Sequence, residues 1–284
     1  MARGSPELLA VDLDGTLLDR QGKPHDRDVR ALRTAIAAGV RVSIITGRLY
    51  SGTRSAAGQV GVRGAVGCAD GSHLVHAADH LTLLHLGVRH EAARLLRDVL
   101  ARAEVTTFVF ADDAIGHDGR GAPFVGYVQT WSTDIRVARD VFEHELWNAP
   151  DGVTAAIALG PRDRIVQSVA EIERDLPGTV FIATFPLRTG EPDHWAMLVR
   201  ASGGTKGTAL RWIAQHEKIP VERAVCVGDW LNDVPMFEAA GRSFAMGQAP
   251  EEVRSKATDV LQETADSGGG IARVIEIAFG IHVD

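Results

Sequence analysis

Leu8-Leu9-Ala10-Val11-Asp12-Leu13-Asp14-Gly15-Thr16 sets four apolar residues directly before two carboxylates and a glycine. The apolar run reads as a buried strand whose carboxyl end carries the acids. Downstream, Val29, Leu32 and Ile36 fall on one stripe of a helix over 26–38 that Gly39 stops, and Val40 to Thr46 reads as the next strand. Strand, helix and strand make a βαβ unit with parallel strands. A short helix over 52–60, a strand Ala65 to Cys68 and a hairpin from Gly71 to Leu86 complete the first stretch.

The pattern then changes. Residues 88–191 mix an amphipathic helix (Glu91 to Ala103), short strands such as Thr106 to Phe110 and turn-rich polar segments such as Asp112 to Pro123. From His194 the alternation returns as strand Ala196 to Arg200, helix Lys206 to Glu217, strand Ala224 to Gly228, helix Val234 to Ala240 and strand Ser243 to Met246. Ala257 to Leu261 then leads to a last helix from Gly270. The expected fold is α/β, a Rossmann-like parallel-sheet core of residues 1–87 and 192–284 interrupted by an inserted α+β domain at 88–191.

The 284 residues, 45% hydrophobic and 24% charged, suffice for two cores, and a net charge of −7 is the wrong sign for a nucleic-acid binder. Cys68 and Cys226 each sit in an apolar run, so buried thiols in a reducing compartment are expected. Met1 to Pro6 carries no secretory apolar stretch, and no run is long enough to span a bilayer, so the expected location is cytoplasmic without membrane attachment. A monomer is compatible with everything read here.

Ligands of an open parallel sheet collect at the carboxyl ends of its strands. Four polar stations lie there: Asp12 with Asp14 after the first strand, Thr46 with Gly47 and Arg48 after the second, Lys206 at a helix start, and Asp229 with Asn232 and Asp233 after Val225 to Gly228. Paired carboxylates suit phosphoryl transfer, one as nucleophile and the other as proton carrier. Gly15 lets the backbone approach a ligand closely. Asp229, Asn232 and Asp233, at i, i+3 and i+4, offer hard oxygens suited to Mg²⁺. Thr46 and the adjacent amides could hold phosphoryl oxygens, and Lys206 places a cation where a helix dipole alone disfavours it. Gly203-Gly204-Thr205-Lys206-Gly207-Thr208 lacks the residue order of a nucleotide-binding P-loop.

In this order the four stations resemble the haloacid dehalogenase (HAD) superfamily, and the long insert resembles that of its Cof-type, class IIB-capped phosphatases. Asp12-Leu13-Asp14-Gly15-Thr16-Leu17-Leu18-Asp19, Thr46-Gly47-Arg48, Lys206-Gly207 and Gly228-Asp229-Trp230-Leu231-Asn232-Asp233 match the four motifs, and Ala245-Met246-Gly247-Gln248-Ala249 looks like the segment after the fourth. The resemblance implies Mg²⁺-dependent hydrolysis of a small phosphorylated metabolite through an aspartyl-phosphate on Asp12. Asp14 would be the acid/base with its backbone carbonyl on Mg²⁺, and Asp229 a direct metal ligand supported by Asn232 and Asp233. Thr46 and Lys206 would complete the catalytic set, with Gly15, Gly47 and Arg48 helping Asp12, Thr46 and Lys206 hold the phosphoryl group. A phosphosugar mutase and a silent phosphate-binding regulatory module are the alternatives.

Two departures stand out. Asp70-Gly71-Ser72 replaces the usual Asn-Gly-Ala, and Trp230 is bulky for its place. In the insert, which the resemblance makes the specificity domain, Asp112, Asp113, His117, Arg120 and Arg188 are candidate contacts for the leaving group. His73, His76, His80 and His85 have no completing ligand for a transition-metal site. Gly268-Gly269-Gly270 reads as a flexible helix entry with some capacity to cradle an anion, and the five tryptophans read mainly as packing residues.

Overall fold

The computed structural model describes residues 6–187 and 193–283. Arg188 therefore lies outside the described residues. In chain order the elements are β1 (Leu8–Val11), α1 (Asp26–Ala37), β2 (Arg41–Ile44), α2 (Tyr50–Val60), β3 (Ala65–Cys68), β4 (His73–His76), β5 (Leu81–His85), α3 (His90–Ala103), β6 (Thr106–Ala111) and β7 (Ala114–His117). There follow α4 (Val125–Val128), β8 (Ile135–Val137), β9 (Ala155–Pro161), α5 (Arg162–Asp175), β10 (Val180–Pro186) and β11 (His194–Ala201). The chain closes with α6 (Lys206–His216), β12 (Ala224–Gly228), α7 (Val234–Ala239), β13 (Arg242–Ala245), α8 (Glu251–Arg254), β14 (Asp259–Val260) and α9 (Gly270–Phe279). Two compact units result, residues 1–84 with 204–284, and residues 85–203.

The first unit is built on a parallel sheet in the order β14-β13-β12-β1-β2. β1 is central, with Leu8 opposite both Ala224 and Arg41, and Val11 opposite Val227 and Ile44. A parallel strand covered on both faces needs apolar residues at every position, and all four residues of β1 are buried. On one face Leu9 and Val11 pack with Leu32 of α1 and with Ile271 and Ile275 of α9. On the other, Leu8 and Ala10 pack with Leu210 and Ile213 of α6 and Met236 of α7. β3 joins through a bridge between Ile45 and Gly67, then heads a three-stranded sheet β3-β4-β5.

The glycine run before α9 does cradle an anion, and that anion belongs to the chain. The carboxylate of Asp28 accepts the N–H groups of Gly269 (2.8 Å) and Ala272 (2.9 Å), filling the helix start and tying α9 to α1.

The second unit is a six-stranded sheet in the order β10-β11-β9-β6-β7-β8, antiparallel throughout except for β7 with β8. α3 and α5 pack on it through Leu96, Val99, Ile165 and Ile172 against Val109, Ala156 and Met197. The strand expected at Ala196 to Arg200, assigned to the parallel core, corrects to this sheet. It pairs antiparallel with β9 and β10, so the chain returns to the first unit only at 204 rather than at 192. Hydrophobicity marks a buried strand but does not say which sheet it joins. The insert likewise begins at 85 rather than 88.

Asp112 and Asp113 form the β6–β7 turn, both with left-handed backbones (φ 50° and 61°). That conformation favours Asp and Asn in two-residue hairpins, so turn chemistry accounts for both. Among the described residues no helix is long and apolar enough to cross a membrane.

Candidate active site

Asp12 leaves the carboxyl end of β1 and Lys206 opens α6, and both side chains are almost wholly buried. α6 starts with a reciprocal cap: the Thr205 hydroxyl accepts the N–H of Thr208 (3.0 Å) while the Thr208 hydroxyl accepts the N–H of Thr205 (2.9 Å). Lys206 Nζ donates to Oδ1 of Asp12 (2.5 Å) and to Oδ1 of Asp233 (2.7 Å). Oδ2 of Asp233 accepts the N–H groups of Asp229 (2.9 Å) and Trp230 (3.0 Å), so Asp233 binds the loop after β12 to the lysine. Gly228 must be glycine here, because a Cβ would collide with the Asp233 side chain.

Asp229 faces the turn after Asp12. Its Oδ1 accepts the Thr16 hydroxyl (3.4 Å) and its Oδ2 accepts Gln248 Nε2 (3.2 Å), which also reaches the Gly15 carbonyl (2.5 Å). Gly15 has φ +77°, and a side chain there would strike the Asp229 carboxylate.

One oxygen from each of Asp12, Asp229 and Asp233 lies within 4.8 Å of the others. Burial, and then repulsion from Asp233 and Asp229, pushes the Asp12 carboxyl well above the usual carboxylate range even though Lys206 opposes the rise. Burial and Asp233 likewise push Asp229 up to about 6. For Lys206, burial favours the neutral amine, but Asp12, Asp233 and Asp70 outweigh it and raise its pKa. One ammonium thus faces more negative charge than it neutralises. An excess of hard carboxylate oxygens in a buried setting fits a divalent cation such as Mg²⁺.

Thr46 is buried after β2, where its hydroxyl accepts the N–H of Arg48 (3.2 Å). Asn232 Nδ2 donates to Oδ1 of Asp70 (2.8 Å). Asp14 stands apart from the three grouped acids. Its exposed side chain is held by Arg48, whose Nε donates to Oδ2 (2.7 Å) and whose Nη2 binds Oδ1, with Nη1 on the Gly52 carbonyl (3.2 Å). Arg48, expected on a phosphate, is thus engaged with a carboxylate. Gln248 and Asp70 were not among the expected site residues. Gln248 follows the carboxyl end of β13, the same topological position that singled out the others.

The remaining expectations resolve individually. Cys68 and Cys226 are both buried. His73 bonds Thr82, His76 bonds Asp79, His80 bonds Tyr50 and His85 bonds Thr154, so each histidine has a local structural partner. Trp147 is buried with its indole N–H on the Val141 carbonyl, and Trp212 stacks on His216. Trp230 is 51% exposed beside Asp229. In the insert, His117 is buried with Nδ1 2.7 Å from the Asp118 carbonyl, and Arg120 is paired with Asp118.

A family model for haloacid dehalogenase-like hydrolases matches residues 9–275. The chain is 26% identical over 286 residues to Phosphatase YwpJ of Bacillus subtilis, covering 93% of this chain and 96% of that one. It is 27% identical over 272 residues to Phosphoglycolate phosphatase of Methanothermobacter thermautotrophicus, covering 96% and 98%. The fold is similar to the crystal structure of a haloacid dehalogenase-like hydrolase from Bacteroides thetaiotaomicron, with a TM-score of 0.82, 20% identity and coverage of 96% and 100%.

Proposed function

The chain belongs to the haloacid dehalogenase-like hydrolases and is a phosphatase of that family, and on that premise we propose that it hydrolyses a small phosphomonoester, with Mg²⁺, through an aspartyl-phosphate on Asp12. The buried Asp12–Lys206–Asp233 array carries this reading. Lys206 holds the Asp12 carboxylate in place and offsets part of the burial and repulsion that favour its protonation. An Asp12 oxygen attacks phosphorus as the bond to the leaving oxygen breaks, and Asp14, released from its pairing with Arg48 and carrying a proton, gives that proton to the leaving oxygen. Asp14 then takes a proton from the water that attacks the phosphoryl group, which leaves as inorganic phosphate and restores Asp12. The Thr46 hydroxyl, oriented by the N–H of Arg48, and the amide of Gly47 bind phosphoryl oxygens.

Asp12, Asp229 and Asn232, with the backbone carbonyl of Asp14, would hold Mg²⁺. When bound, the cation offsets the repulsion between the Asp12 carboxylate and the phosphate dianion. Asp233 has both oxygens engaged by Lys206 and by backbone N–H groups, which suits it to positioning. The insert is the part left to choose among phosphorylated metabolites, since the parallel-sheet site recognises only their common phosphate. The two buried thiols suit a cytoplasmic enzyme.

The test is Asp12→Asn. Mg²⁺-dependent phosphate release from p-nitrophenyl phosphate should fall by a factor of about 10³ or more while the protein remains folded. Retained turnover would remove Asp12 as nucleophile.

A further inference from the structure

Asp70 occupies a place where the family resemblance leads one to expect asparagine, and its surroundings give that exchange a physical meaning. Its backbone is left-handed (φ 51°), a conformation that Asp and Asn tolerate best after glycine. Its N–H donates to the Thr46 carbonyl (2.9 Å), which anchors it at the carboxyl end of β2. It also lies against Gly47, where a Cβ would come 3.4 Å from its Oδ1. That same Oδ1 accepts the Asn232 amide at 2.8 Å.

We propose that Asp70 is a positioning residue that fixes which end of the Asn232 amide serves the metal site. An ionised carboxylate can only accept hydrogen bonds, so Asn232 must turn its NH₂ toward Asp70 and its carbonyl oxygen away from it. An amide at position 70 could accept from Asn232 or donate to it, and either orientation would be bonded. The aspartate removes that choice and leaves Asn232 Oδ1, a hard oxygen, as the end turned away from Asp70. Asn232 lies on the single turn Leu231–Asp233, whose start is pinned by Asp233, so its reach is already limited and the orientation of the amide is what remains to be set. The inference rests on the proposed Mg²⁺-dependent reading of the site.

The nearest competing explanation is that Asp70 acts as a charge through space, as it does on Lys206. A double-mutant cycle separates the two. Mg²⁺ is titrated calorimetrically into the wild-type chain, Asp70→Asn, Asn232→Ala and the double variant, with circular dichroism confirming folding. Asp70→Asn, which keeps shape and tolerates the left-handed backbone, should weaken Mg²⁺ binding about twofold more in the wild-type background than when Asn232 is already alanine, because two equally bonded amide orientations leave about half the molecules with the Asn232 oxygen turned to the cation. Equal losses in both backgrounds, or no loss in either, would overturn the positioning role. Should Asp70→Asn fold poorly, Asp70→Gly tolerates the same φ and is read against the same cycle. Absence of Mg²⁺ binding by the wild-type chain would instead bring down the metal-dependent reading itself, and this inference with it.

Discussion

Asp12 in the parallel-sheet unit and Asp118 in the insert are both 4% exposed, yet their surroundings treat them oppositely. Asp118 accepts the backbone N–H of Arg120 (2.9 Å) on one oxygen, and the Arg120 guanidinium (3.1 Å) and the N–H of Val141 (3.5 Å) on the other. Burial works against it, but Arg120 holds its carboxyl below the ordinary carboxylate range. The Asp12 carboxyl is pushed up first by its burial and then by Asp233 and Asp229, with a single ammonium shared between it and Asp233. A buried acid that the fold uses for structure is neutralised by its own neighbours. One kept short of positive charge is poised for a ligand that brings it.

The largest effect that would break this contrast is at Lys206. Lys206→Met should reduce phosphate release by a factor of about 10³ or more, and should destabilise the chain by about 3–5 kcal/mol in urea melts, because two carboxylates then stay buried with no counter-charge. Wild-type stability and turnover in this variant would show that Lys206 does not offset the charge of Asp12 and Asp233. Asp118→Asn tests the other half. Loss of charge-assisted bonds should cost about 1–2 kcal/mol in urea while Mg²⁺ affinity stays at the wild-type value. A matching loss of Mg²⁺ affinity would erase the distinction between the two acids.

The smallest effect sharpens the comparison through pH. The pKa of Asp229 in the folded chain is raised to about 6, so the folded, metal-free protein binds a proton there more tightly than the unfolded chain. The stability that this group contributes is fully present below its unfolded pKa, near 4, and is lost as pH rises through about 6. Mg²⁺ competes with that proton. The rise in melting temperature on adding Mg²⁺ should therefore be greater at pH 7.5 than at pH 5, by roughly 2–4 °C for each kcal/mol of difference. An equal rise at both pH values would count against Asp229 as a ligand.

Asp70 and Arg48 show where the sequence stops being informative. Their positions after β3 and β2 are readable as sheet-edge positions, but their partners lie 162 and 34 residues away in the chain. Spacing along one segment can group Asp229, Asn232 and Asp233, because the loop and helix start between them are local. It does not say that Arg48 grips Asp14, or that Gln248 reaches across to Asp229 and Gly15. The anion at the start of α9 follows the same rule, since the glycines announce a receptive helix end and only folding supplies Asp28 to fill it.

The sequence by itself determined the βαβ opening, the parallel core, the presence of an α+β insert and the four polar stations at the strand ends. Each follows from local periodicity and from the rule that ligands gather at the carboxyl edge of such a sheet. Tertiary structure alone decided that His194–Ala201 belongs to the insert, because two-sided burial looks the same in either sheet until the partners are known. It also decided the charge balance around Asp12. A carboxylate's ionisation depends on the solvent it has lost and on the charges brought beside it, and both are set only when distant segments meet.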